Sequence, residues 1–296
     1  MPKPRVFVAM SGGVDSSVAA ALLQQEGTEV IGVTLQIWPP DEDTGQAHGC
    51  CGQEAIASAQ RVAHKLGIRH YVLNFREVFA RTVIADFCRE YGRGRTPNPC
   101  LVCNQDIKFG TLLDRVLTMG ADYLATGHYA RIETAGGSYR LLKGTDRAKD
   151  QSYFLYPLRQ RELRHLLFPV GGLTKTAVRK QAAAFGLPTA TRRESQDICF
   201  IPDNNYRAFV ARYLPATPGD ITDTAGRVLG RHHGLAAYTV GQRQGLGVAA
   251  SGRRYVLRLD TADNRRVIGT RELLLTDTVV ASKLSWVSGE APEDTA

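Results

Sequence analysis

No run of apolar residues in this 296-residue chain approaches the roughly 20 that cross a bilayer, which excludes a helical membrane span. The opening Met1-Pro2-Lys3-Pro4-Arg5 leads straight into a strand-like run without the apolar core of a secretory signal, so a soluble cytoplasmic protein is expected. Cysteine is sparse, with six residues, and in that compartment it reads as reduced, catalytic or metal-binding rather than as a disulfide framework. No internal repeat is visible, which excludes a solenoid or propeller. Acidic residues run short in the second half. Residues 1–150 hold 17 Lys/Arg against 16 Asp/Glu and residues 151–296 hold 20 against 13, so the net charge of +8 belongs mostly to the later part. Between Arg159 and Arg193 stand eight basic residues, among them Lys175, and one acid, Glu162. That stretch suits a polyanion such as RNA, and it equally suits a solvated helix face.

One further absence decides a chemical class. Ser11-Gly12-Gly13-Val14-Asp15-Ser16-Ser17 lies between the apolar run Val6–Met10 and a helix-like run from Val18, where a buried strand turns into a helix. Glycines there let backbone N–H groups close on an anion, and the helix N-terminus adds about half a positive charge. A Walker-type loop carries a lysine before its Ser/Thr, and this one has none, which disfavours transfer of a terminal phosphoryl group. Gly-Gly and Asp-Ser alone also make an ordinary capped turn. The full six-residue pattern after a first strand instead resembles the PP-loop of ATP pyrophosphatases. That resemblance implies binding of the β- and γ-phosphates, release of pyrophosphate and transfer of AMP to a substrate oxygen, with Asp15 helping to hold Mg²⁺.

The first half alternates strand and helix patterns. Glu29–Trp38 reads as a second strand, followed by a polar loop through Gly49; Gln53–Leu66 has apolar residues at helical spacing, and Tyr71–Phe75 is a third strand. Glu77–Tyr91 and Asp106–Met119 read as helices and Ala121–His128 as a buried strand. Such alternation predicts an α/β fold, a parallel sheet with helices on both faces and ligands at the carboxyl ends of its strands. From about Tyr206, short β-prone runs alternate with turns, predicting a small β-rich domain. The expected organisation is residues 1–205 as the ATP-binding and catalytic domain, 206–275 as the β-rich domain and 276–296 as the remnant of a third. The acidic tail from Gly289 is expected to be disordered.

Cysteine placement points to sulfur chemistry. Thr96-Pro97-Asn98-Pro99-Cys100-Leu101-Val102-Cys103-Asn104 sets two thiols three apart in a proline-shaped loop before a helix expected near Asp106, whose N-terminus would lower a thiol pKa. Ser195-Gln196-Asp197-Ile198-Cys199-Phe200-Ile201-Pro202 offers a third in a β-like stretch. Cys50-Cys51 reads as a loop and helix start, and Cys88 as a core residue. Tyr153, Phe154, Leu155 and Tyr156 could stack on bases, but core packing is the expectation.

Six motifs in order, SGGVDSS, TPNPCLVCNQDIKFG, ATGHYARI, KDQSYFLYPL, SQDICFIP and YTVGQRQGLG, resemble the tRNA-specific 2-thiouridylase family from the first strand to about Ile268. The resemblance implies adenylation of the C2 oxygen of the wobble uridine and displacement of AMP by persulfide sulfur, in a fold like that of the adenine nucleotide alpha-hydrolases. It assigns Cys199 as the persulfide carrier and Cys103 as its partner nucleophile, the two passing through a transient disulfide. Ala9, Met10, Ser11, Gly12, Gly13, Val14, Asp15 and Ser16, with Leu35 and Gly127, are implied to bind ATP. Asn98, Pro99 and Cys100 are implied at the target base, and His128, Lys149, Asp150 and Gln151 at tRNA. A sulfur donor, a cysteine desulfurase or a relay protein, is implied as a partner. Residue types agree with this chemistry, because AMP is a good leaving group and a thiol ionises readily near neutral pH.

Two departures stand out. Many family members carry Asp where this chain has Cys100, so Cys100 and Cys103, with Cys199 as a third ligand, are also compatible with an iron–sulfur cluster that delivers sulfide. The family also continues into a β-barrel domain, which the residues after Ser285 are too few to build. Two other classes compete. A PP-loop synthetase using ammonia would need neither Cys103 nor Cys199, and a non-catalytic nucleotide- or RNA-binding module would show no tRNA-dependent pyrophosphate release.

Overall fold

The computed structural model describes residues 3–38, 52–193, 198–201, 205–248 and 252–291, and the chain divides into two compact units. Unit 1 comprises Met1–Thr82, Cys100–Phe200 and Leu284–Ala296; unit 2 comprises Val83–Pro99 and Ile201–Lys283. Cys50-Cys51, the polar loop before them, Ser195–Asp197, Pro202 and the last five residues lie outside the described part.

Unit 1 is built on five parallel strands. In chain order these are β1 (Arg5–Ala9), β2 (Glu29–Gln36), β3 (Arg69–Asn74), β4 (Tyr123–Ala125) and, beyond a hairpin, β7 (Leu166–Leu167), with spatial order β3-β2-β1-β4-β7. Val6, Phe7 and Val8 of the central strand are all buried, the unbroken apolar run of a strand covered on both faces. Helix α1 (Val14–Gln25) follows at once. Its Val18, Ala19, Ala20 and Ala21 are buried around more than one face, so small side chains let it sit deep in the fold. Helix α2 (Gln53–Leu66) buries Ala55, Ala59, Val62 and Ala63 and ends at Gly67, whose φ of 66° makes a left-handed C-cap.

Two sequence expectations shift here. The strand read over Ala121–His128 contracts to β4, because Gly127 leaves the sheet to pack against α1. The helix expected over Glu77–Tyr91 forms as Arg76–Phe79, a π-helical Ala80–Ile84 and Ala85–Gly92. A hairpin also appears where none was read: β5 (Ala130–Ala135) pairs with β6 (Ser138–Lys143) around Gly136 and Gly137. Their φ values of 59° and 79° are what a tight primed hairpin turn needs.

Unit 2 is the β-rich part. Strands β8 (Gly219–Thr222), β9 (Val228–His232), β10 (Tyr255–Asp260) and β11 (Arg265–Gly269) form a sheet of order β10-β11-β8-β9, with β11 and β8 parallel. Its helices Ala85–Gly92 and Tyr206–Ala211 meet where Phe87 packs edge-on against Phe209 and Tyr91 stacks on Tyr206. Cys88 is buried in the first of these, as expected, and burial pushes its thiol pKa up. The YTVGQRQGLG stretch is tied down by Arg266, which is fully buried. Its guanidinium stacks 3.9 Å from the Tyr238 ring centre and donates to the Leu246 carbonyl.

Candidate active site

The site grows from the junction of β1 and α1. Thr34 Oγ1 donates to the Met10 carbonyl at 2.7 Å and Ser58 Oγ to the Gly12 carbonyl at 3.0 Å, which fixes the loop from outside. Gly12 has φ +72°, and a Cβ on it would lie 2.4 Å from the Ala55 carbonyl oxygen, so no other residue fits. Inside the loop, Ser17 Oγ donates to the Gly13 carbonyl at 2.7 Å, and Ser16 Oγ accepts from the Ser11 amide at 3.2 Å. Gly13 stands at the N-cap of α1 and has no side chain to occupy it. The first-turn amides of α1 lack intrahelical acceptors, so the loop presents them, with the positive end of the helix, to an anion.

A carboxylate and an amine stand beside this cradle. Asp15, in the first turn of α1, accepts 2.8 Å bonds from Lys175 Nζ on both oxygens and a 2.7 Å bond from the Tyr129 hydroxyl on Oδ1. Lys175 is only 12% exposed. It begins the helix Lys175–Ala184, and its backbone amide donates to Asp146 Oδ2 at 2.9 Å. Its ammonium also lies 5.7 Å from the Tyr129 ring centre. Sequence reading missed both Lys175 and Tyr129 as site residues. Tyr129 directly follows the Gly127-His128 pair, which was a usable signal, whereas Lys175 joins Asp15 across 160 residues with no local pattern.

The implied tRNA-contact residues cluster around Tyr129. Gln151 Oε1 accepts from the Tyr129 amide at 3.0 Å, and the Gln151 amide donates to the Tyr129 carbonyl at 2.9 Å. Asp150 staples its loop by accepting from the Gly144 amide at 2.7 Å and the Ser152 hydroxyl at 2.8 Å. Burial pushes the Asp150 carboxyl up, but those hydrogen bonds and nearby Lys143 outweigh it and leave the pKa lowered. Lys149 is half-buried. The PP-loop, Gly127, Tyr129 and Gln151 are thus drawn into one connected cluster.

His128 is held between Phe109 and Phe168, with ring centres 5.7 and 5.9 Å away, and its Nδ1 is 2.6 Å from Thr126 Oγ1. Burial, and then the Lys108 charge, hold its pKa well below the ordinary histidine value. The unfolded chain therefore binds a proton near pH 6.5 that the folded protein refuses, so this residue costs stability as pH falls below that value. A His128→Phe variant should lose less stability than the parent between pH 7 and pH 5, by up to about 1.4 kcal/mol per pH unit. Parallel denaturant melts at several pH values measure this, and identical pH slopes would contradict it.

The cysteines are corrected in their local structure. Cys100 and Cys103 do not precede a helix but open one: Pro99–Val102 is α-helical, Cys103–Leu112 π-helical and Leu113–Thr118 α-helical. Pro99 starts this run because its missing N–H is no loss at a first helical position. Cys100 is exposed, while Cys103 and Cys199 are partly exposed. Buried Asn104 follows Cys103 and bonds the Phe154 carbonyl at 3.0 Å. Cys199 sits in a turn over residues 198–201, not in a β-like stretch, and the next residue, Phe200, packs edge-on against Phe79 at 5.6 Å. Among the described residues no three His, Cys, Asp or Glu side chains are grouped to hold a metal ion. Cys100, Cys103 and Cys199 are not drawn together into such a group.

Two more expectations change. Only Leu155 of the aromatic run is core; Tyr153 and Tyr156 are 64% and 45% exposed. The basic stretch is not one open stripe. Arg161 pairs with Asp114 at 2.7 Å, Arg192 with Glu54 at 3.4 Å and Lys175 with Asp15, and Arg179 donates to the Ala190 and Arg192 carbonyls.

A parallel α/β sheet whose first strand delivers a glycine-lined anion cradle defines a nucleotide-binding protein. A family model described as tRNA methyl transferase HUP domain matches residues 4–203, and one described as tRNA methyl transferase PRC-barrel domain matches residues 207–270. A protein of Heliobacterium modesticaldum named tRNA-specific 2-thiouridylase MnmA is 53% identical over 290 residues, covering 96% of this chain and 75% of that relative. Relatives of the same name from Pelotomaculum thermopropionicum (49% over 300 residues, 99% and 82% covered) and Carboxydothermus hydrogenoformans (51% over 298 residues, 98% and 82% covered) agree. The chain belongs to the tRNA-specific 2-thiouridylase family. No helix among the described residues is long and apolar enough to cross a membrane.

Proposed function

We propose that this protein is a tRNA-uridine 2-sulfurtransferase. The C2 oxygen of the wobble uridine attacks the α-phosphorus of ATP and pyrophosphate leaves, giving an O-adenylated base. The terminal sulfur of a Cys199 persulfide then attacks C2 and AMP departs. Cys103 attacks the Cys199 sulfur, which breaks the S–S bond, leaves the thiocarbonyl on the base and forms a Cys103–Cys199 disulfide. A thiol reductant returns the two electrons. A cysteine desulfurase or sulfur-relay protein reloads Cys199. The persulfide route takes precedence over a cluster because the three cysteines form no metal-holding group.

Ala9–Ser16, Leu35 and Gly127 bind ATP in this reading; Asn98, Pro99 and Cys100 contact the base, and His128, Lys149, Asp150 and Gln151 contact tRNA. A nucleotide-bound Mg²⁺ takes one or two protein carboxylates plus phosphate oxygens. Asp15 would supply such a carboxylate, and the ion would offset charge on the departing pyrophosphate. The observation that carries the reading is the glycine cradle with Asp15 at its edge, in a chain about half identical to proteins named tRNA-specific 2-thiouridylase. Pyrophosphate release measured with and without unmodified tRNA tests it. Release that needs tRNA is expected, and none under any condition would overturn adenylation.

Exposed Tyr153 lies in the 3₁₀ turn Ser152–Leu155 and exposed Tyr156 caps its C-terminal end, three residues apart and therefore on one side of it, directly after Lys149–Gln151. Base–aromatic stacking contributes about 1–3 kcal/mol per base. The Tyr153→Ala/Tyr156→Ala variant should thus bind unmodified tRNA about tenfold or more weakly with ATP affinity unchanged. Equal tRNA affinities in a filter-binding titration would remove these tyrosines from the RNA surface.

A further inference from the structure

The PP-loop carries no lysine, yet the fold brings one to it. Lys175 Nζ lies 2.8 Å from both oxygens of Asp15, in the first turn of the helix whose N-terminus forms the anion cradle. Three features fix where that ammonium sits. Its helix is capped by Thr174, whose Oγ1 accepts from the Ala177 amide at 3.2 Å. Asp146 holds the Lys175 backbone amide, and the Tyr129 ring lies 5.7 Å from the ammonium. At 12% exposure, Lys175 is not an ordinary surface cation. A single carboxylate explains its charge but not this placement beside the loop, because a mere partner for Asp15 could come from anywhere on the surface.

We infer that Lys175 is a phosphate-binding residue of the active site, contacting the β- and γ-phosphates of ATP and the pyrophosphate that leaves. This rests on the ATP reading above and deepens it. When the substrate oxygen bonds to the α-phosphorus, the bond from that phosphorus to the β-bridging oxygen breaks and its electron pair stays on pyrophosphate. The Lys175 ammonium offsets that charge as it develops, the task a loop lysine performs in Walker-type sites. Asp15 has lone pairs enough to orient Lys175 and to meet a divalent cation on the same phosphates.

The role separates from simple neutralisation of Asp15 in a binding experiment that needs no turnover. ATP, inorganic pyrophosphate and AMP are titrated calorimetrically, in EDTA and again with Mg²⁺, into the parent, Lys175→Met, Lys175→Arg, Asp15→Asn and the Asp15→Asn/Lys175→Met double variant. Circular dichroism and thermal melts establish folding. A charge-assisted hydrogen bond contributes about 1.5–3 kcal/mol, so the double variant should bind ATP and pyrophosphate about 10- to 100-fold more weakly than Asp15→Asn alone. AMP, which lacks the β- and γ-phosphates, should change less than about twofold between the same two proteins, because none of the affected contacts involves it. Lys175→Arg keeps the charge and should retain part of the ATP affinity, which keeps the test usable if Lys175→Met does not fold. Equal ATP and pyrophosphate affinities in Asp15→Asn and the double variant would show that Lys175 only neutralises Asp15 and would overturn the inference. Loss of AMP affinity in parallel with ATP would overturn it too. A parent protein that binds neither ATP nor pyrophosphate would instead overturn the ATP reading itself, and this assignment with it.

Discussion

Serine in place of Cys199 is expected to abolish 2-thiouridine formation by more than about 1,000-fold, equivalent to about 4 kcal/mol of transition-state stabilisation, with tRNA-dependent pyrophosphate release largely kept. The reason is a division of labour. In the proposed mechanism adenylation depends on Ser11–Ser16, Gly127 and the Asp15 cluster, and no cysteine belongs to that set. Sulfur transfer needs a side chain that can carry a persulfide, which a hydroxyl cannot. Serine differs from cysteine by one atom, and the turn is held by its neighbours Phe200 and Ile201, both buried, so the fold should tolerate the change. Cys103→Ser should also stop product formation but still accept labelled persulfide on Cys199, because its role comes after loading. Persulfide labelling and nucleoside mass spectrometry read the two steps apart. If either variant kept more than about a tenth of parental thiolation, the cysteine pair could not be the sulfur machinery, and an ammonia-using synthetase would be the better class.

The second large effect is steric. A Cβ on Gly127 would lie 2.6 Å from the Ser16 amide nitrogen and 2.7 Å from the Asp15 carbonyl carbon, both backbone atoms in the first turn of α1. Neither side yields easily. Gly127 follows buried Thr126, whose amide donates to the Leu167 carbonyl at 3.1 Å, and α1 is packed into the core around Val18–Ala21. Gly127→Ala should therefore force β4 and α1 apart and lower stability by about 1–3 kcal/mol, the usual cost of overpacking. Its effect on ATP affinity should be larger, about 100-fold, because the displaced turn is the anion cradle itself. Gly172→Ala is the control, since a Cβ there meets nothing within 4 Å. Equal melting temperatures and ATP affinities for the two variants would contradict the close approach of Gly127 to the loop.

Much of this was legible in the chain, for physical reasons. An apolar strand, two glycines and a helical run must turn where β1, the loop and α1 do, and α2 forms residue for residue over Gln53–Leu66 because its periodicity and its C-terminal glycine agree. What escaped reading was non-local or rested on one residue with two meanings. Pro99 reads as loop-forming, yet it starts a helix, which moves Cys100 and Cys103 onto a helical turn. Gly136-Gly137 carried the hairpin signal, but the flanking runs were too polar to announce strands. Tyr153 and Tyr156 looked like core until a 3₁₀ turn set both outward. Lys175 is indistinguishable in sequence from the basic residues around it, and only the packing of its helix against α1 delivers it to Asp15.

The account stands on adenylation and sulfur transfer meeting on one uridine. The most direct measurement incubates the purified protein with ATP, Mg²⁺, a cysteine desulfurase with cysteine, and unmodified tRNA, and quantifies nucleosides by mass spectrometry after digestion. The expected result is 2-thiouridine that disappears when ATP, the sulfur source or Cys199 is removed, with AMP formed in equal amount. AMP and pyrophosphate without any thiolated nucleoside, or an unchanged yield in the Cys199→Ser variant, would contradict it.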